Sequence, residues 1–278
     1  MKKISIMQGR LSKPVNGKIQ SFPKNSWDQE FEKAKQAGLK GIEWIFEADE
    51  WEKNPISNDD GINSIIDLKN RTGIIIESVC ADYFMDIPYL TADNDTRKDL
   101  IEKLKWLISQ SSKIGASYID IPFVDASKIE NSQQFIQVKE FILPATGIAQ
   151  MLNVTLALET SLKPEDFKQL LININNPIVY ANYDTGNSSG IGYNCVEELK
   201  AYGDFIKTVH IKDRLLNDGT KSLGHGSANF HTFFKELSKL KYNGPIVLQT
   251  AREEEGKEIE TAIKNRKFVE DYLSKFNL

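Results

Sequence analysis

Eight short β-rich runs, each followed by a helical pattern, form one unbroken series along this chain, and that alternation restricts its fold more than any single motif. The runs are ISIM (4–7), GIEWIF (41–46), IIIESV (74–79), SYIDIPF (117–123), VTLALE (154–159), PIVYANYD (177–184), DFIKTVHIKD (204–213) and GPIVLQT (244–250). Helical spacing of apolar residues fills 26–38, 59–73, 96–114, 130–152, 193–203, 229–240 and 253–276, with Gly38 and Gly115 as stops. Pro144 predicts a break within 130–152, and a short helix opens at Ser161 with Pro164 and Glu165 in its first turns. Eight such units predict a single (β/α)8 TIM barrel over residues 1–278, with no linker or low-complexity tract to divide it. A doubly wound open sheet shares the alternation, but no GxGxxG turn follows ISIM.

The 278 residues are long enough for one large core, and 40% hydrophobic with 27% charged residues is an ordinary globular mixture. Net charge is −4 and the 35 basic residues are scattered, so no nucleic-acid partner is expected. Cys80 and Cys195 form no CxxC or CxxH pair, which removes a thiolate zinc knuckle and fits a reduced interior. The opening MKKISIMQGR lacks the apolar stretch of a leader, and no run approaches a membrane span, so no membrane partner is expected and the cytoplasm is the default location.

A barrel gathers its chemistry at the carboxyl ends of its strands. Those ends carry Gln8 and Arg10, Glu43, Glu77 with Cys80 and Asp82, Glu159, Asp184, then His210, Lys212 and Asp213, and finally Gln249 and Arg252. Glu159, Asp184 and His210 fall on three successive strands, and two carboxylates with one imidazole suit Mn²⁺, Mg²⁺, Zn²⁺ or Co²⁺. Alone, each has a plainer role: a helix cap, an Asx turn, a core histidine. Their repeated placement favours the metal. The loop LGHGSANF (223–230) places two glycines before a helix, where exposed amides can meet a hydroxyl or phosphate; Lys221 can add a positive charge and His225 can reach substrate. A plain flexible connection is the alternative. His231 falls inside a helical pattern and is expected to be structural. Trp44 is expected either to wall the pocket or to pack between barrel and helices.

VTLALET, YDTGN, HIKDR, LGHGSANF and YNGPIVLQT together resemble the xylose-isomerase-like barrel superfamily, particularly its sugar-phosphate isomerase and epimerase branch with the ketose and pentulose-phosphate 3-epimerases. The resemblance spans almost the whole chain. It implies one divalent ion, Mn²⁺ favoured, bound by strand-end Glu, Asp, His and Glu, to which Glu159, Asp184, His210 and Gln249 correspond. It further implies a sugar or sugar-phosphate substrate and proton transfer through an enediolate, with Glu159 as one base and His210 at the catalytic centre. Gln249 stands where the family has its second carboxylate. An amide oxygen can ligate a metal, but it cannot act as a general base. A two-base epimerase is therefore in doubt, whereas an aldose–ketose isomerase can use one base. Glu253 or Glu254 can supply the missing group, or simply cap the last helix.

Arg10, Glu43, Glu77, Lys212, Asp213, Lys221, His225 and Arg252 are the candidate substrate contacts, the two arginines for a phosphate or carboxylate. A homo-oligomer is compatible with this sequence. Two other functions share the pattern: a phosphoester hydrolase of the apurinic-endonuclease type, which needs more histidines than the three present, and a catalytically silent sugar-binding barrel.

Overall fold

The computed structural model describes residues 4–278; Lys2 and Lys3, which entered the leader argument, lie outside them. Eight parallel strands close a barrel: β1 (Ile4–Met7), β2 (Gly41–Ile45), β3 (Ile75–Cys80), β4 (Tyr118–Phe123), β5 (Thr155–Thr160), β6 (Val179–Asp184), β7 (Ile206–Ile211) and, after the two-residue strands β8 (Asp213–Arg214) and β9 (Thr220–Lys221), β10 (Ile246–Leu248). The order β1-β10-β7-β6-β5-β4-β3-β2 returns on itself, which excludes the open sheet. No helix among the described residues is long and apolar enough to cross a membrane.

The helices are α1 (Gln29–Gln36), α2 (Asp59–Thr72), α3 (Tyr83–Asp86), α4 (Asn94–Lys113), α5 (Gln134–Leu152), α6 (Pro164–Ile174), α7 (Thr185–Gly190), α8 (Cys195–Tyr202), α9 (Phe230–Lys239) and α10 (Glu258–Phe276). The longer ones turn an apolar stripe inward. In α9, Phe230, Phe233, Phe234 and Leu237 recur at helical spacing and are all buried, with Phe234 stacked on Tyr272 at 5.1 Å. Burying each such side chain contributes about 1.5–3 kcal/mol. Trp44 packs on this outer side of the barrel against Phe22 and Trp27, its indole N–H donating to Asn54, so it belongs to barrel–helix packing and not to a pocket wall.

Three boundaries depart from expectation. α5 runs through Pro144 without a break, because Phe141, Ile142, Ala145 and Ala149 on both sides of it are buried, and their packing outweighs one lost hydrogen bond. α10 begins at Glu258 instead of 253, after Gly256 turns the chain at φ +86°. The short α7 and the β8–β9 ribbon have no counterpart in the periodicity, since elements this small leave no period to detect.

Candidate metal and substrate site

Alternation along the strands fixes which side chains enter the barrel. In the register of the sheet, Cys80 lies beside Asp120, Pro122 beside Glu159, Asp184 beside His210, and Val247 beside His210, which places Gln249 one step higher on the same face. Asp120, Glu159 and His210, all buried, each offer a ligand atom within 4.8 Å of one another.

The imidazole is gripped from two sides. His210 Nδ1 lies 3.1 Å from Asn182 Nδ2 and 3.4 Å from Glu159 Oε2, while Nε2 lies 2.9 Å from Glu43 Oε2, close enough for an ion pair though not aligned as a hydrogen bond. Asn182 also donates to Glu159 Oε2 (2.8 Å), and its carbonyl accepts from Thr208 (2.8 Å), which orients the amide. On the other side of Glu159, Asn187 Nδ2 donates to Oε1 at 2.5 Å. Asn187 in turn accepts from Lys212 and Arg214, both at 3.1 Å.

Asp184 combines two of its expected roles. Oδ1 accepts from the backbone of Gly186 and Asn187, both at 2.7 Å, capping α7; Oδ2 is buried with no hydrogen-bond partner, 3.9 Å from Lys212 Nζ. Gly186 leaves room for this arrangement, because a Cβ there would lie 2.6 Å from Lys212 Cγ. Gln249 Nε2 donates to Gln20 Oε1 (3.0 Å), leaving Gln249 Oε1 buried and without a hydrogen-bond partner.

The electrostatics follow from carboxylates enclosed with one imidazole. Burial, then Glu159, pushes Asp120 well above the usual carboxylate range. Burial acts the same way on Glu159, but its bond to His210 and the charge of that ring outweigh it and hold Glu159 below its ordinary value. Burial raises Asp184 as well. Burial would lower His210, yet Glu43, Glu159 and Asp120 together carry it well above the ordinary histidine value.

The fit to a metal ion rests on these groups. Asp120 Oδ1, Asp184 Oδ2 and Gln249 Oε1 are buried oxygens without a hydrogen-bond partner, and a buried polar atom left so costs about 1–3 kcal/mol. Oxygen donors with one imidazole suit a divalent ion of the Mn²⁺, Mg²⁺, Zn²⁺ or Co²⁺ type. A cavity of about 390 Å³ opens above them, lined among others by Arg10, Gln20, Asp82, Asp120, Glu159, Lys212 and Gln249. That volume suits a small molecule.

Other candidate residues stand elsewhere. Glu77 precedes Ser78, which pairs with Tyr118 at the start of β4, so it lies toward the amino-terminal end of the barrel. Asp213 Oδ2 accepts from the amides of Gly224 (2.9 Å) and Gly226 (2.8 Å), and Oδ1 from that of Ala228 (3.1 Å). The amides expected to face a substrate are thus gathered around the chain's own carboxylate. Lys221 pairs with Asp218 at 3.3 Å on the β9 ribbon, and His225 Nδ1 lies 3.3 Å from Leu223 O. His231 packs its ring 5.2 Å from that of Phe276. Arg252 binds Ile19 O (3.0 Å) and Ser12 O (2.8 Å) and faces a separate hollow with Glu254 and Glu258; Glu253 pairs with Lys264.

Three residues of the site escape strand-end reading. Asp120 interrupts the apolar run SYIDIPF, and Asn182 precedes Asp184 by two positions and so shares its face; both were visible as polar residues on an inward parity. Gln20 sits in the β1–α1 loop, where no period predicts direction.

The glycine loop yields a direct test. A Cβ on Gly226 would lie 2.1 Å from Asp213 Oδ1 and 2.7 Å from Arg214 O, whereas one on Gly219 meets nothing within 4 Å. Gly226→Ala is expected to destabilise the protein by about 2 kcal/mol, by forcing the carboxylate out of its three amides. Thermal melts should show a loss of roughly 3–4 °C for Gly226→Ala and almost none for Gly219→Ala.

Known proteins share this architecture. The family model described as xylose isomerase-like TIM barrel matches residues 31–272. A putative L-ribulose-5-phosphate 3-epimerase of Haemophilus influenzae is 26% identical over 277 residues, covering 93% of this chain and 96% of its own. Among solved structures, the IOLI protein with a bound zinc atom superposes with a TM-score of 0.76 at 17% identity over 99% of both chains. The D-psicose 3-epimerase of Clostridium cellulolyticum H10, solved with D-tagatose, also gives 0.76, at 14% identity over 98% of this chain and 99% of that one. The family match covers most of the barrel, including Asp120, Glu159 and His210, and the chain belongs to the xylose isomerase-like TIM barrel family.

Proposed function

We propose that this protein is a divalent-metal-dependent isomerase or epimerase that acts on a ketose or ketose phosphate through an enediolate. The observation that carries this reading is the meeting of Asp120, Glu159 and His210 within 4.8 Å beneath a small-molecule cavity that Asp120 and Glu159 line. The ion, with Mn²⁺ favoured, would be held by Glu159, Asp184, His210 and Gln249, with Asp120 adjoining. When bound, such an ion polarises a carbonyl and its neighbouring hydroxyl and makes the intervening C–H acidic. Glu159, pinned by Asn182 and Asn187, removes that proton and returns it. Lys212, at the cavity wall, offers a positive charge to a substrate oxyanion or phosphate. The similarity to pentulose-phosphate 3-epimerases favours a phosphorylated five-carbon ketose among the candidates.

A hydrolase with several metal-bound histidines is disfavoured, since His225 lies beside Leu223 O, His231 packs on Phe276 of α10, and neither joins the Asp120, Glu159 and His210 cluster. The test is hydrogen–deuterium exchange in D₂O, with Mn²⁺-loaded protein and a panel of ketoses and their phosphates followed by NMR. Exchange at the carbon beside the carbonyl is expected for at least one of them. Bound metal without exchange on any member would favour the silent sugar-binding barrel.

A further inference from the structure

We propose that Gln20 is a positioning residue that turns the carbonyl oxygen of Gln249 toward the metal cluster; this rests on the metal reading above. A glutamine side chain has two nearly isosteric ends, a donor and an acceptor, and nothing in its own shape decides which faces the site. The decision comes from its neighbours. Asp82, buried just beyond the end of β3, can only accept while ionised, and Gln20 Nε2 donates to its Oδ2 at 2.8 Å. Gln20 must then present Oε1 on its other side. There it accepts from Gln249 Nε2 at 3.0 Å and from Arg10 at 3.2 Å. Arg10 is itself fixed, donating to Thr250 O (2.8 Å) and Ile19 O (2.6 Å), and can present only donors. Gln249, having given its N–H to Gln20, directs Oε1 inward, where that oxygen is buried without a donor.

The polarity therefore runs in one direction, from an anion through two amides to an oxygen ligand. Flipping Gln20 would set its oxygen against Asp82 and its NH₂ against Arg10. Flipping Gln249 would set NH₂ toward the cluster and oxygen against oxygen at Gln20. A flipped Gln20 loses three contacts, and a flipped Gln249 loses its bond to Gln20 and turns a donor toward the cation, so the neutral residue at 249 behaves as a fixed acceptor. This explains how an amide can occupy a ligand position without turning its donor end to the cation.

The test is calorimetric titration of Mn²⁺ into the full-length protein and its variants, with thermal melts verifying that each is folded. Gln20→Met keeps the length and removes the amide; it is expected to weaken Mn²⁺ about tenfold, the low end for a group that orients a metal ligand. In a Gln249→Leu background the same change should cost less than about twofold, because the residue through which Gln20 acts is gone. Gln20→Glu alone sets a second carboxylate against that of Asp82, which drives the side chain at position 20 off Gln249, and should also cost about tenfold. Gln20→Glu combined with Asp82→Asn restores the pattern. The amide introduced at position 82 can donate to one oxygen of the carboxylate introduced at position 20, while the other oxygen accepts from Gln249 and Arg10. That double variant should return to within about threefold of the parent. All these substitutions are close to isosteric, so a packing role would not reproduce this pattern. Equal costs of Gln20→Met in both backgrounds, or a double variant no better than Gln20→Glu, would overturn the proposal, as would a Gln249→Leu protein that binds Mn²⁺ like the parent. A parent protein that binds no divalent ion would instead remove the metal reading on which it rests.

Discussion

Glu159→Gln is expected to lower proton transfer by about 10³-fold while weakening divalent-ion binding by no more than about tenfold. The separation follows from what each atom of Glu159 does. Both oxygens are hydrogen-bonded, Oε1 to Asn187 and Oε2 to Asn182, and the group is held below its ordinary carboxylate value by the adjacent imidazole. The amide of a glutamine keeps one oxygen for a cation but has no site that accepts a substrate proton near neutral pH, and a positioned general base contributes about 10²–10⁴. Its NH₂ also has to face one of two donors, Asn182 or Asn187, which accounts for the expected loss in affinity. The measurement is kcat/KM on the substrate identified by exchange, with Mn²⁺ saturation verified by titration for both proteins. Retention of more than a tenth of the parent rate would assign proton removal to another group, and Asp82 and Asp120 are the other carboxyls lining the cavity among the residues discussed.

Much of this molecule was legible from spacing because barrel strands impose a period that survives in the sequence. All eight runs became the eight barrel strands, and Glu159, Asp184 and His210 project from three neighbouring strands. A strand buried on both faces needs a strong reason to carry an acid, so such an acid is conspicuous. Asp120 obeys the same logic, yet it lies in the middle of its run, and the expected site residues stand at run ends. Asp213 presents the opposite case. It stands immediately beyond a strand end, as a substrate ligand would, but the loop it precedes folds back and gives it three amides. An ionised carboxylate and a glycine-rich turn are complementary whether the carboxylate belongs to a ligand or to the chain, so sequence cannot distinguish the two. Gln20 lay beyond reach because its partners are distant: Asp82 is 62 positions away and Gln249 is 229.

The second large effect is expected at His210, and it links metal binding to pH. In the metal-free protein Glu43, Glu159 and Asp120 hold the ring well above its ordinary value, although burial opposes this. A histidine whose folded value is raised binds its proton more tightly in the native than in the unfolded chain. Its stabilisation is therefore complete below about pH 6.5, the ordinary value, and disappears as pH rises through the raised folded value. A metal ion needs the unprotonated ring, so binding must displace that proton, and Asp120, also raised, can release another. Mn²⁺ affinity should accordingly rise about tenfold per pH unit for each proton displaced between about pH 6 and 8. Titrations in buffers of different ionisation enthalpy should report at least one proton released per ion. His210→Ala is expected to weaken Mn²⁺ by about 10²-fold or more, about 2.7 kcal/mol, and to reduce the released protons by one. The same substitution should destabilise the metal-free protein by about 3 kcal/mol at neutral pH, because Glu43 loses the cation 2.9 Å from its carboxylate while remaining fully buried. An alanine variant that binds Mn²⁺ as tightly as the parent, with the same proton release, would place the ion away from this ring.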